Sequence, residues 1–208
     1  MQKHWYLQQI DLFKGIPDQE IMSIAKKMIE KKCAKKEIIY MPNEANNSIY
    51  VLKKGEITLY NSHAGKRLII EVLKPGSIFG NISFHEGKTT HFAEAKEDSY
   101  VCLFSIEDFT TILHSKPELM MKFFQIMSEK MQNYERRLKG GLFDAKEKIL
   151  QQLDIFLEEQ KKSTILSKLF KGKTNMTHDH LAELTGLSRE TVTRAINDLK
   201  KAGINIPW

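Results

Sequence analysis

The sequence predicts an α+β chain: an N-terminal β-roll, one long helix, and a C-terminal helix-turn-helix. Three observations carry that expectation. Between Glu37 and Ile106, short β-rich runs punctuated by glycine recur at roughly ten-residue spacing. From Ser115 to Leu138 the apolar residues take a helical period. From Met176 to Gly203, MTHDHLAELTGLSRETVTRAINDLKKAG sets small, turn-forming and apolar residues at helix-turn-helix spacing.

Composition bounds the class. The 208 residues suit one large domain or two small ones. With 41% hydrophobic and 28% charged residues, the chain reads as ordinary and globular. It has no apolar run of membrane-spanning length. The start, MQKHWYLQQIDLF, lacks the apolar core and cleavage site of a signal peptide, so a cytoplasmic protein is expected. The net charge is +6, and from Lys161 to Trp208 nine Lys/Arg face four Asp/Glu. Most of the excess therefore lies in the last quarter, which favours phosphate contacts there. Cys33 and Cys102 belong to no CxxC pair or Cys/His ladder, so structural zinc and a four-thiolate iron–sulfur cluster are not expected. Two half-buried thiols are the plain reading, and a redox pair is the alternative.

In chain order, residues 5–32 read as short helices, one capped by Asp18 and bearing Ile21, Ile24, Ala25 and Met28. EIIYMP, SIYVLKKGEITLY, KRLIIEVLKPGSIFG and SYVCLFSI then read as strands. In YVLKKGEITLY, Tyr50 and Leu52 alternate with Val51 and Lys53, and Ile57 and Leu59 with Glu56, Thr58 and Tyr60. Gly55 supplies the positive φ of the connection. Asn43 and Asn47 make PNEANN a turn.

Ser115-Lys116-Pro117-Glu118 reads as a helix start, with a serine cap, a proline just inside it and a capping-box glutamate. Met120, Phe124, Met127, Met131, Tyr134 and Leu138 follow at spacings of 4, 3, 4, 3 and 4, a heptad seam. Leu119, Phe123 and Ile126 form a second stripe. One stripe suits the β-roll and the other a second copy of the helix, so parallel dimerisation is favoured over core packing alone. Lys139-Gly140-Gly141 ends the helix and reads as a hinge. The expected divisions are a sensor domain at 1–112, a dimerisation helix and hinge at 113–143, and a DNA-binding domain at 144–208. Within the last, Ile149, Leu150, Leu153, Phe156 and Leu157 share one helix face.

Thr177 is placed to cap a first motif helix bearing Leu181, Ala182 and Leu184. Ala182 lets a second helix approach, Gly186 takes the turn, and Val192 packs the second helix on the first. Ser188 caps that second helix and Gly203 ends it. Arg189, Glu190, Thr193 and Arg194 then project from one exposed face. Arginine can hold guanine with two hydrogen bonds, and glutamate can accept from the cytosine amino group. The hydroxyls of Thr177, Ser188 and Thr191 lie near helix starts and suit phosphates. A solvated Arg/Glu face on an ordinary helical hairpin is the bland alternative. The Ala–Gly–Val spacing, serine cap and basic flank together favour DNA.

With these residues in view, the chain resembles the CRP/FNR family of bacterial transcription regulators over nearly its whole length. YVLKKGEITLY and LKPGSIFG are similar to the family's β-roll, and SRETVTR to its recognition helix. The resemblance implies a cyclic-nucleotide-binding-like sensor domain, a homodimer, and double-stranded DNA carrying an inverted repeat of a TGTGA-type half-site. It leaves room for RNA polymerase as a further partner. Two departures stand out. His178 and Asp179 occupy places where the family has phosphate-contacting residues, and Asp179 would repel a phosphate. The sequence runs out at INIPW, so the family's C-terminal wing is expected to be short or missing.

The same resemblance places an effector cassette at Gly80, Asn81, Ile82, Ser83, Lys88, Thr89 and Thr90, with Asn133 and Tyr134 on the long helix. Cyclic-AMP-binding members carry a carboxylate where Asn81 stands. Aligned through Phe92-Ala93-Glu94-Ala95, they carry an arginine where Thr89 stands. Lys88 is adjacent, but it lacks the planar fork and is off by one. No cofactor is expected. A different small effector, haem through His85 or His91, or no effector at all are the favoured readings, and a cyclic-nucleotide-responsive pocket is the alternative. The oxygen-sensing branch's N-terminal cysteine cluster is absent. An enzyme would need a nucleophile–base pair, metal ladder or GxxxxGK loop, and none is evident. A cyclic-nucleotide module that does not bind DNA is the other competing class.

Overall fold

The computed structural model describes residues 6–83, 87–139, 143–161, 176–204 and 206. The chain divides into two compact units, residues 1–59 with 71–129, and residues 60–70 with 130–208. The division thus falls inside the long helix, and the 60–70 hairpin groups with the C-terminal unit.

Helix α1 (Asp18–Lys26) is followed by β1 (Ile29–Cys33), β2 (Ile38–Tyr40), β3 (Ser48–Lys54) and β4 (Ile57–His63). Next come β5 (Lys66–Leu73), β6 (Ile78–Gly80), β7 (Phe92–Ala95) and β8 (Ser99–Ser105). They form two four-stranded sheets of order β1-β8-β3-β6 and β2-β7-β4-β5. The pairs β1–β8, β3–β8, β3–β6 and β2–β7 are antiparallel. This is the expected roll, with two strands the sequence did not disclose. β1 starts within the 5–32 stretch that reads as helical. Its Glu30, Lys31 and Lys32 give no apolar alternation, and only pairing with β8, from Ile29↔Leu103 to Cys33↔Ser99, makes it a strand. β7 is four residues long, too short to show a period.

The simple inside–outside alternation across β3 and β4 does not hold. Ile49 to Leu52 are all buried, and so are Glu56, Thr58 and Tyr60. The other face of β3 is covered by the N-terminal segment, whose Tyr6, Leu7, Ile10, Leu12 and Phe13 are buried and whose Tyr6 hydroxyl donates to the Leu52 carbonyl. Phe13, Phe104, Phe109 and Phe123 continue as a chain of aromatic contacts at 6.3, 5.8 and 5.8 Å between centroids. This ties β8 to α2 (Ile106–His114) and α3 (Pro117–Lys139).

Several local expectations are corrected. Asp18 does not cap α1; Pro17 holds that place, and Asp18 is the first helical residue, accepting from Gln8. Ser115 does not cap α3. It closes α2, where its hydroxyl donates to the Ile112 carbonyl, so the helix starts at Pro117 without a serine. The cysteines are fully buried, not half-buried. Cys33 faces Ser99 and Cys102 faces Glu30, so the two sit three positions apart along the ladder. That is about 10 Å along the strands, beyond disulfide reach. Burial pushes the Cys33 thiol above its ordinary pKa. On α3, Leu119 and Phe123 are buried, while Phe124, Met131 and Leu138 are exposed. Gly140 and Gly141 of the expected hinge lie outside the described residues.

In the C-terminal unit, α4 (Ala145–Lys161), α5 (His178–Thr185) and α6 (Arg189–Lys201) share one core. Ile149, Leu153, Leu181, Val192, Ile196 and Leu199 form its centre. Leu157, expected on the same face, is 38% exposed. Asp144 opens α4 by accepting from the Lys146 and Glu147 amides. Gly203, at φ +81°, ends α6. The Ile204 amide reaches the Leu199 carbonyl and the Gly203 amide that of Lys200, a Schellman closure. No helix among the described residues is long and apolar enough to cross a membrane.

The most demanding polar group in the roll is Glu56, 7% exposed, held by Lys74 and by Lys96 at 2.9 Å. Burial pushes its carboxyl up, but the two ammonium groups outweigh burial and leave it below the ordinary glutamate value of 4.5. Its stabilising contribution is therefore full above that ordinary value and is lost as pH falls through the lower folded value. Glu56→Gln is expected to lower stability near neutral pH by about 1–3 kcal/mol and to weaken the acid dependence of the thermal midpoint. Calorimetric melts from neutral to strongly acid pH measure both.

Candidate nucleic-acid interface and effector cassette

The recognition helix is set by its neighbours. Thr177 caps α5 by accepting from the His180 amide at 3.1 Å. Gly186 then turns the chain in the left-handed region, at φ +71°, a conformation that penalises any residue with a Cβ. Ser188 caps α6 by accepting from the Thr191 amide at 3.1 Å. Leu181 and Val192 are both fully buried, so the helices are locked through the residues their spacing indicated.

Arg189, Glu190 and Arg194 lie exposed on the first turns of α6. Their accessible face and the helix N-terminus suit a major groove. Thr193 is placed differently from the sequence reading. Its hydroxyl donates to the Arg189 carbonyl at 2.9 Å and lies 2.9 Å from His178 Nδ1. A hydroxyl has one proton, and it goes to the carbonyl, so His178 Nδ1 carries the proton of the second bond. In the free protein Thr193 thus serves as an internal tie, not an open base-reading group. The hydroxyls of Ser188 and Thr191 pair at 2.9 Å. Thr177 uses its oxygen as an acceptor in the cap and keeps an O–H to donate. Asp179 Oδ1 lies 3.3 Å from Arg189 Nε. The sequence marked His178 and Asp179 only as departures from a phosphate-contacting pattern. Residue order gives no sign that they reach across to α6.

In the cassette, Gly80 is required by geometry. Its φ is +101°, and a Cβ there would lie 2.5 Å from the Ser48 carbonyl oxygen and 2.6 Å from the Tyr50 ring. Asn81 is buried, and its Nδ2 donates to the Asn46 carbonyl at 2.8 Å. Its Oδ1 accepts from Ser83, through the amide at 3.2 Å and through the hydroxyl. Thr89, also buried, donates its hydroxyl to the Met41 carbonyl. Lys88 is exposed in an isolated bridge opposite Ala45. Ile82 is half-buried, and Thr90 is exposed. Among the described residues, Asn46 Nδ2 is a buried donor without a partner beside this network.

His91 stands edge-on to Tyr40, its Nε2 3.1 Å from the Tyr40 hydroxyl and its Nδ1 3.3 Å from Thr90 Oγ1. A haem iron takes one imidazole nitrogen, and both nitrogens of His91 are hydrogen-bonded. His85 lies outside the described residues. No group of three potential metal ligands occurs among the described residues. Tyr40 also packs against Tyr50 and Phe79, with Tyr50 stacked on Phe79 at 5.1 Å. On α3, Asn133 is exposed and Tyr134 half-buried.

The roll and the recognition helix together define a class: a DNA-binding regulator with a cyclic-nucleotide-binding-type domain. Residues 30–116 match the cyclic nucleotide-binding domain, and residues 153–205 match the Crp-like helix-turn-helix domain. The chain belongs to the CRP/FNR family of transcription regulators. It is 24% identical over 196 residues to the cyclic AMP receptor protein of Thermus thermophilus, covering 93% of this chain and 87% of that one. Among solved structures, a CooA mutant from Carboxydothermus hydrogenoformans matches with a TM-score of 0.69 and 23% identity, over 86% of this chain and 79% of that one. The c-di-GMP responsive regulator CLP of Xanthomonas campestris matches with a TM-score of 0.71 and 13% identity, over 90% and 93%. At those identities the structural likeness speaks for the fold.

Proposed function

We propose that this protein binds an inverted-repeat operator as a homodimer in the cytoplasm, and that its β-roll answers to an effector other than cyclic AMP or to none. The observation that carries the DNA reading is the exposed trio Arg189, Glu190 and Arg194 at the start of α6. Their chemistry suits a guanine and a cytosine edge, and the hydroxyls of Thr177, Ser188 and Thr191 at the helix starts support phosphate contacts. The dimer is supported by α3, whose Phe124, Met131 and Leu138 are 60%, 59% and 77% exposed. With Met120, Met127 and Tyr134 they keep the heptad spacing of a helix that meets its own copy. The effector reading rests on the cassette. Asn81 and Thr89 stand where a cyclic-AMP site needs a carboxylate and an arginine, and both are already bonded to backbone carbonyls. Relatives differ in what they sense; one is named for cyclic AMP and another for c-di-GMP. Haem held through His91 is disfavoured, because that ring is bonded at both nitrogens.

Three outcomes are expected. Arg189→Ala should reduce preference for the selected operator over a scrambled duplex by about 1–3 kcal/mol, with the melt unchanged; a competition binding assay reads both affinities. Met127→Lys combined with Met131→Lys should yield monomers in light scattering, and an unchanged dimer mass would refute the seam. Cyclic AMP titrated calorimetrically into the intact chain should give no saturable heat, whereas saturable micromolar binding would overturn the reading of the cassette.

A further inference from the structure

We infer that Asp179 is a positioning residue for Arg189, setting the guanidinium for guanine from the neighbouring helix; this rests on the DNA reading given above. Asp179 is in the first turn of α5 and Arg189 in the first turn of α6. The carboxylate meets the guanidinium at its Nε edge, with Oδ1 3.3 Å from Nε. Arginine presents its N–H groups in a rigid planar fork. Engaging Nε leaves the N–H donors of the two Nη nitrogens for a two-bond contact to guanine O6 and N7. Asp179 and Arg189 are 66% and 70% exposed, so the pair does little for fold stability. Its effect falls on orientation, because a long side chain held before binding has less freedom to lose on binding.

A second tie reinforces the first. His178, the residue before Asp179, bonds the Thr193 hydroxyl, which bonds the carbonyl of Arg189 itself. Two consecutive residues of α5 thus hold both the backbone and the side chain of Arg189. A carboxylate facing DNA should otherwise weaken binding to every sequence through phosphate repulsion. Pairing with Arg189 gives it the opposite role at one base position.

The test uses the full chain and the duplex that the unaltered protein selects from a randomised pool. Asp179→Ala should reduce discrimination against replacement of the guanine read by Arg189 by about two- to fivefold. Affinity for scrambled duplex should hold or rise. Asp179→Asn, which keeps an acceptor oxygen, should lie between. In an Arg189→Ala background, Asp179→Ala should change discrimination no further. The inference is overturned if Asp179→Ala raises affinity for all duplexes alike with discrimination intact, or if its effect is the same with and without Arg189. An unaltered chain that selects no sequence would remove the DNA reading itself, and this inference with it.

Discussion

The reading surface depends on one packing constraint, the burial of Leu181 and Val192 in a common core across a left-handed glycine. Gly186 lets the chain reverse within a few residues, and the two apolar side chains fix how far the second helix rotates. Any rotation that lifted Val192 out of the core would expose apolar surface worth about 1.5–3 kcal/mol. It would also turn the face that carries Arg189, Glu190 and Arg194 away from its exposed position. The polar geometry of the site is thus set from below by apolar packing. The caps at Thr177 and Ser188 then satisfy the amides that start each helix.

The N-terminal unit follows the same logic with different materials. Its sheets bury residues on both faces because the N-terminal segment covers β3 and the Phe13–Phe104–Phe109–Phe123 chain joins sheet to helices. Burying a polar group inside such a roll is costly unless it is matched. Glu56 is matched by two lysines, Asn81 by a carbonyl and a serine, and Thr89 by a carbonyl. Gly80 permits the close approach of β6 to β3 that positions Asn81.

Much of this was legible in residue order, and the remainder shows where local pattern stops. The turn glycines, the caps at Thr177 and Ser188, and the buried Leu181, Val192 and Leu153 follow from short-range chemistry, and all stand where the sequence placed them. β1 was hidden because Glu30-Lys31-Lys32 becomes a strand only through pairing with β8, about seventy residues away. Ser115 misled because one serine beside a proline can end one helix as readily as begin the next, and its hydroxyl found the Ile112 carbonyl first. The alternation in β3 and β4 failed because a strand covered on both sides has no solvent face to mark. His178 and Asp179 were read from their own helix, whereas their partners lie on the next one.

The internal bonding of the cassette has a consequence for sensitivity. Asn81 and Thr89 are satisfied by groups of the same chain, and these partners are present at a high and fixed effective concentration. Any small molecule entering there competes with covalently tethered rivals. It must replace those hydrogen bonds before it gains from new ones, as a charged ligand meeting a vacant arginine does not. Such a site sets a threshold on what it admits, answering to an abundant or closely complementary molecule and staying silent toward a trace of an approximate one.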